Sequence, residues 1–251
     1  MKNKKSLGMR FLNTLSPIIL AIIAQIQLFA QSPPKVYRGK ISQQIAVNST
    51  TPIYKGFSHD VIAYSEYQIL VNKKNTSYQL EPLFDAYGKA SSFRLFKTSS
   101  SEEQRTIHFN PQLMPEVGEE LPLFIMKGLD GVTYNSTKLK GRYVLLSFWV
   151  RFEKPYYTLA STRIISDFIK KQKVNGIEVV SLATTHNSTS ECLAVFPKRT
   201  DCFIPIPESY GFNHRYHIGE TPYFILIDKS GSILEMASHL EFNRIGDLKL
   251  N

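Results

Sequence analysis

The strongest constraint on the fold is a β-α-β pattern in residues 143–183. Residues 143–149 are a continuous apolar run, which is typical of a central strand covered on both faces. Residues 159–173 have apolar side chains at helical spacing, at Leu159, Ile164, Ile165, Phe168 and Ile169. Asn175-Gly176 then ends the helix, and residues 177–183 form a second β-branched run. We therefore predict two parallel strands joined by a right-handed helical crossover.

The sequence around this unit predicts a mixed α/β domain. An Asp-Gly turn at Asp130-Gly131 indicates a hairpin. Further elements are predicted in chain order: a short helix at 188–196, an edge strand at 203–207, a hairpin of 223–228 with 232–236, and a short helix within 240–250. Together these elements predict a central sheet flanked by helices.

The first 30 residues have the three parts of a secretory signal. The basic segment holds Lys2, Lys4, Lys5 and Arg10. Residues 18–24 are apolar, and Leu28-Phe29-Ala30 offers a cleavage site. The alternative is an uncleaved anchor, but Gln25 and Gln27 interrupt a run that is shorter than the roughly 20 residues a span needs. We predict an exported protein with no membrane span after signal cleavage.

The charge of the chain does not indicate a nucleic-acid partner. The formal net charge is +9, and four of these positive charges lie in the signal, which leaves +5 for the mature chain. The basic residues are spread along the sequence rather than gathered into one stripe, which is typical of a solvated surface.

Residues 31–113 read as a small β-rich module, and residues 114–251 as the α/β domain, with prolines at Pro111 and Pro115 marking the boundary. Within the module, β-branched and aromatic runs predict strands at 36–47, 61–71, 93–96 and 105–109, separated by polar breakers. The tyrosines of the module include Tyr37, Tyr54, Tyr64, Tyr67 and Tyr78. They indicate either a binding face or the packing of the module itself.

The chain has two cysteines, Cys192 and Cys202. In an oxidising compartment such a pair favours a disulfide, which would stabilise the fold by roughly 2–3 kcal/mol. Two free thiols, or a redox-active pair, are the alternatives.

Residues 117–237 resemble the TlpA-type branch of the thioredoxin-like family, which are exported bacterial thiol–disulfide proteins. The resemblance rests on motifs that occur in the family's order: Leu121-Pro122-Leu123-Phe124 with the following Asp-Gly turn, Lys140-Gly141 before a strand that ends in Phe148-Trp149, the helix with its second parallel strand, and the segment 219–231. The resemblance implies a thioredoxin-like fold and a location in the periplasm or envelope of a bacterium.

The resemblance also identifies the candidate site. Pro222 matches the family's cis-proline, which would leave the backbone of Thr221 free to pair with an extended peptide. The positions of the family's Cys-x-x-Cys pair and the residues between them hold Glu153, Lys154, Pro155 and Tyr156. We expect Glu153 to lie at a helix start, where an anion is stabilised. A carboxylate and a phenol cannot exchange disulfides, so the site is predicted to be redox-inactive.

These observations favour a non-enzymatic protein that binds a protein or peptide partner in the envelope and needs no cofactor. The alternative is a thiol–disulfide oxidoreductase that acts through Cys192 and Cys202. A third interpretation is a scaffold with no groove function. His214 and His217, joined by His186 or a cysteine, could be read as a metal site, but their spacing is not that of a zinc site, and we predict no metal. The sequence does not indicate an oligomeric state.

Overall fold

A computed structural model of the protein describes residues 47–73, 77–98, 109–196 and 200–251. The predicted signal, the strand predicted at 36–47 apart from Val47, and the strand predicted at 105–109 apart from Phe109 lie outside these residues. All described residues belong to one compact unit, Ile45–Asn251. No helix of the described part is long and apolar enough to cross a membrane.

The C-terminal domain is built on a five-stranded mixed sheet. Its strands are β6 (Tyr143–Phe148), β7 (Val179–Thr184), β8 (Ile204–Ile206), β9 (Tyr223–Ile227) and β10 (Ile233–Ser238), in the order β10-β9-β6-β7-β8. Strands β6, β7 and β8 are parallel, and β9 runs antiparallel to both β6 and β10. The predicted central strand, parallel neighbour, edge strand and hairpin are all present.

A two-stranded hairpin, β4 (Ile125–Lys127) with β5 (Thr133–Asn135), precedes this sheet, and its strands pair across the predicted Asp-Gly turn. The helices of the domain are α2 (Ser136–Leu139), α3 (Leu159–Val174), α4 (Thr189–Val195), α5 (Gly211–Arg215) and α6 (Asn243–Gly246). The helix predicted within 240–250 is therefore only one short turn.

Strand β6 is fully buried because both of its faces carry a hydrophobic cluster. Val144, Leu146 and Phe148 belong to one cluster, and Leu145 and Trp149 belong to the other. Each fully buried side chain of this size contributes about 1.5–3 kcal/mol. The alternation of faces explains why the sequence of the strand is continuously apolar.

Helix α3 covers the second of these faces with Ile165 and Phe168, which are buried. Leu159 was predicted to lie on the same face, but its side chain is 87% exposed. Leu159 is the first residue of the helix, and it lies ahead of the turns that contact the sheet.

The described part of the β module is a three-stranded sheet with one helix. Its strands are β1 (Ile53–Lys55), β2 (Ser77–Phe84) and β3 (Ala90–Thr98), in the order β1-β3-β2, and its helix is α1 (Tyr64–Asn72). The strand predicted at 93–96 lies within β3.

The strand predicted at 61–71 is wrong, because most of this segment is helix α1. Tyr64, Tyr67 and Leu70 pack on the module's small cluster around Ile53 and Leu95. Their spacing of three residues matches a helix face, whereas a strand would place alternate residues on one side. The aromatic and β-branched content of the segment is typical of a strand, but the spacing of its apolar side chains is that of a helix.

The β module packs directly on helix α5. The side chain of Arg215 donates a hydrogen bond to the carbonyl oxygen of Phe84. The His214 ring stacks between those of Phe84 and Phe109, with centroid distances of 5.1 Å to each. At Gly211, a Cβ atom would lie only 1.9 Å from the Gly88 carbonyl oxygen. This contact therefore requires glycine.

We expect Gly211→Ala to lower the free energy of unfolding by about 2 kcal/mol or more, because the added methyl group forces the two backbones apart. Gly246→Ala is the matched control, since the space around its added Cβ is open. Urea unfolding of both variants measures the difference. Equal stability of the two would contradict this packing of the module on the domain.

Candidate functional site

The two segments of the candidate site leave the sheet at the same edge. Phe148, the last residue of β6, is paired with Tyr223, the first residue of β9, and with Thr184, the last residue of β7. The loop after β6 therefore begins beside Thr221-Pro222, which precedes β9. The sheet register brings together the two segments that were predicted separately from sequence.

Glu153, Lys154, Pro155 and Tyr156 form a turn in this loop. The N–H of Tyr157 donates to the carbonyl oxygen of Glu153 at 2.9 Å, and the Lys154–Pro155 peptide bond is cis. The resemblance had matched these residues to the helix start of the family.

The expectation that Glu153 lies at a helix start is wrong. Helix α3 begins only at Leu159, and its N-cap is Thr158, whose hydroxyl accepts a hydrogen bond from the N–H of Ser161 at 3.2 Å. The free N–H groups of the helix end are therefore aimed at Thr158 and its surroundings. Glu153 does not share this anion-stabilising position.

Buried contacts fix the start of the loop. The N–H of Phe152 donates to Oδ1 of Asn187 at 2.7 Å, and the Thr185 hydroxyl donates to the same oxygen at 2.9 Å. The Phe152 ring packs on Phe196 and Phe203, with centroid distances of 5.0 and 5.6 Å. The loop is thus held on the domain by one buried amide and an aromatic cluster.

Tyr157, which follows the turn, belongs to the same cluster. Its ring lies 5.3 Å from that of Phe152 and 5.5 Å from that of Trp149. Burial raises the pKa of Tyr157 to about 12. The phenol is therefore neutral at physiological pH and serves as a packing group.

Arg151 is the central charge on the exposed side of the loop. Its Nη1 lies 3.3 Å from Oε1 of Glu153 and 3.3 Å from Oε1 of Glu191. Glu191 also closes a capping box with Ser188 at the start of α4, and hydrogen bonds from Ser188 are the main cause of its lowered pKa. Because all three charged side chains are largely exposed, these ion pairs contribute little to stability.

The Thr221–Pro222 peptide bond is cis, the conformation that the resemblance implies. The carbonyl oxygen of Pro222 accepts a hydrogen bond from the N–H of His239 at 3.1 Å. The backbone N–H and carbonyl of Thr221 make no hydrogen bond to another described residue. Thr221 and Pro222 are half-buried, so this stretch of backbone can pair with an extended peptide.

The predicted disulfide is not formed in this structure: Cys192 and Cys202 are both free thiols. Each sulfur instead contacts an oxygen atom of a residue close to it in sequence. Sγ of Cys192 lies 4.0 Å from the carbonyl oxygen of Asn187, and Sγ of Cys202 lies 4.0 Å from Oγ1 of Thr200. Burial raises the pKa of both thiols, to about 11 for Cys192.

The histidines take part in ring stacking. The His186 ring lies 3.7 Å from that of Tyr210, and Nδ1 of His217 accepts a hydrogen bond from the N–H of Asn110 at 3.5 Å. Burial lowers the pKa of His186 and of His214 to about 4. Both rings are therefore neutral at pH 7. Within the described part of the chain, no group of three His, Cys, Asp or Glu side chains is placed to hold a metal ion.

Sequence reasoning missed Arg151 and Asn187. One signal was available for their neighbourhood, since Ser188-Thr189-Ser190-Glu191 has the pattern of a capping box. That pattern places Asn187 at the end of the loop that follows β7. It does not reveal that the amide reaches Phe152, because the contact depends on the parallel pairing of β6 with β7.

The part of the chain that holds this site is similar in sequence to known proteins. The family model described as thioredoxin-like matches residues 141–233. A thiol–disulfide oxidoreductase ResA of Bacillus cereus is 29% identical over 122 residues, which cover 48% of this chain and 68% of the relative. ResA of Bacillus anthracis is 28% identical over 126 residues, with the same two coverages.

Solved structures with a similar chain course include two bacterial proteins. One is the exposed lipoprotein thioredoxin of Streptococcus pneumoniae, at 20% identity and a TM-score of 0.40, which covers 50% of this chain and 98% of that one. The other is a putative thiol:disulfide interchange protein DsbE of Chlorobium tepidum, at 21% identity and a TM-score of 0.42, which covers 49% and 85%.

Because residue 153 lies in a turn ahead of the start of α3, we can predict the pKa of a thiol placed at this position. The double substitution Glu153→Cys with Tyr156→Cys introduces thiols at the two positions. We expect the pKa of the thiol at position 153 to stay at about 8.5, rather than fall to the range of about 3.5–7.5 that occurs at helix N-termini. A pH titration of the thiolate absorbance measures it.

The nearby cation needs its own control, because Arg151 can also lower the pKa of a thiol at position 153. The titration is therefore repeated with Arg151→Gln added. A pKa below about 7 that persists in this triple variant would show that the helix end acts on position 153.

Proposed function

Because this chain belongs to the thioredoxin-like family over residues 141–233, we propose that it is an exported, redox-inactive member that binds an extended segment of a protein partner beside Thr221 and Pro222. The predicted secretory signal supports its place in the bacterial periplasm or envelope. The binding mode is the addition of a strand to exposed backbone.

One observation supports the proposed absence of redox activity. The positions that match the family's Cys-x-x-Cys hold Glu153 and Tyr156, and the two cysteines of the chain lie elsewhere in the sequence. Disulfide exchange requires a thiolate to attack and a second thiol to resolve the mixed disulfide. A carboxylate and a phenol supply neither group.

The groove is supported by parts of the site that do not involve sulfur. The backbone of Thr221 makes no hydrogen bond to another described residue and lies just before β9. The loop anchored by Phe152 and Asn187 begins at the same edge of the sheet. These elements position backbone groups, so they can bind a peptide whether or not a thiol is present.

A second candidate is disulfide exchange through Cys192 and Cys202. It is favoured by their shared position in the cluster around Phe152 and by the partial exposure of Cys202. It is opposed by the raised pKa of both thiols, because the thiol form is a poor nucleophile. Cys192 is also completely buried, so a substrate disulfide has no access to it.

The first test is an insulin-reduction assay with dithiothreitol as the reductant. We expect the purified protein to give the rate of dithiothreitol alone, because no described thiol is both exposed and activated. A thioredoxin with an intact Cys-x-x-Cys serves as the positive control. A rate above background that Cys192→Ser abolishes would establish the second candidate instead.

The second test addresses the groove. Cross-linking in a bacterial envelope extract, followed by mass spectrometry, is compared for the wild type, Pro222→Ala and Pro122→Ala. Pro122 is exposed and precedes β4, away from the edge that holds Pro222. We expect Pro222→Ala to lose most of the cross-links at Thr221 while Pro122→Ala keeps them. If both variants lost the cross-links at Thr221, or if both kept them, a partner bound in the groove would be excluded.

A further inference from the structure

We propose that the cleft between the β module and helix α5 binds a small oxyanion, a carboxylate or a phosphate group. The cleft has a volume of about 120 Å³. Glu81, Phe84, Arg94 and Phe109 line it from the module. His214, Arg215 and His217 line it from the C-terminal domain. Neither Thr221 nor Pro222 lines this cleft.

Two arginines, one from each side, supply the positive charge. Arg94 is held in place by an ion pair from its Nη1 to Oε2 of Glu81 at 3.3 Å. Its guanidinium also lies over the rings of Phe57 and Phe96, at 5.1 and 5.9 Å from the centroids. Arg215 is fixed by its hydrogen bond to the Phe84 carbonyl oxygen. Both guanidinium groups are therefore positioned before any ligand arrives.

Each guanidinium carries five N–H donors in a planar fork and no acceptor. The contacts described above use one Nη atom of Arg94 and one Nη atom of Arg215. An oxyanion in the cleft offers several acceptor lone pairs to the remaining donors, and the hydrogen bonds it accepts are charge-assisted.

The histidines add no positive charge at pH 7, and His217 offers a neutral donor. Nδ1 of His217 accepts from the N–H of Asn110, which places the proton of the neutral ring on Nε2 as a donor. Nδ1 of His214 is shielded and has no partner in the described part of the chain. Burial is the main cause of the lowered pKa of both rings. At pH 7 the fixed charges at the cleft are therefore two arginines and one carboxylate, Glu81, which leaves a net charge that suits a single anionic group.

The size of the cleft limits the ligand. The volume of about 120 Å³ favours a compact anion such as acetate or inorganic phosphate. Phe84 and Phe109 add apolar surface to the lining of the cleft.

Isothermal titration calorimetry tests the site with sodium phosphate and, separately, sodium acetate, at constant ionic strength with chloride as the background anion. We expect saturable binding of at least one of them to the wild-type chain. Arg94→Gln should weaken it tenfold or more, because a charge-assisted donor is lost. Arg244→Gln is the matched control, because Arg244 also pairs with a carboxylate, that of Glu235, and lies on the exposed surface.

Glu81→Gln provides the opposite test. Removing the competing carboxylate should strengthen anion binding several-fold, an effect that damage to the fold cannot imitate. Preference for phosphate or for acetate identifies the chemical class. Absence of saturable binding for both anions, an equal loss in Arg94→Gln and Arg244→Gln, or weaker binding in Glu81→Gln would each overturn the proposal.

Discussion

The burial of strand β6 on both faces is the constraint on which the rest of the structure depends. Its side chains alternate between two hydrophobic clusters, so neither face can be exposed without loss of a core. The strand must therefore lie between parallel β7 and antiparallel β9. This placement fixes where the loop after β6 begins, and it sets that loop beside the segment that holds Pro222. The candidate site is a consequence of the sheet register rather than of any residue in the loop.

This dependence explains how the residues of the loop can vary while the backbone around Thr221 and Pro222 keeps its place. Phe152 and Asn187 anchor the loop through buried contacts, and Pro222 is fixed by its backbone bond to His239. The side chain of Glu153 takes part in none of these contacts; it lies at the surface beside Arg151. Because such exposed pairs are worth little, the identity of this residue is free to change without cost to the fold.

The elements defined by strong periodicity could be predicted from sequence. The β-α-β unit and the hairpin of β9 with β10 have clear apolar patterns, and both are present. The errors lie where local composition and periodicity disagree, as in α1, or where a match to a family's motif does not fix the local structure, as at position 153. There the family's motif marks a helix start, and here Thr158 caps the helix instead. A cap is set by one hydroxyl and one N–H, which a motif match does not resolve.

The two parts of the described chain are joined by polar and aromatic groups rather than by a continuous apolar core. The module's own cluster around Ile53 is separate from the two clusters of the C-terminal domain. The contact between them includes a stacked histidine, an arginine bonded to a backbone carbonyl, a backbone hydrogen bond from Ile125 to Ala86 and a close approach of two glycines. Such contacts are directional and tolerate little sliding. They hold Arg94 and Arg215 on opposite sides of one cleft, so charges that are 121 positions apart in sequence act on the same small volume.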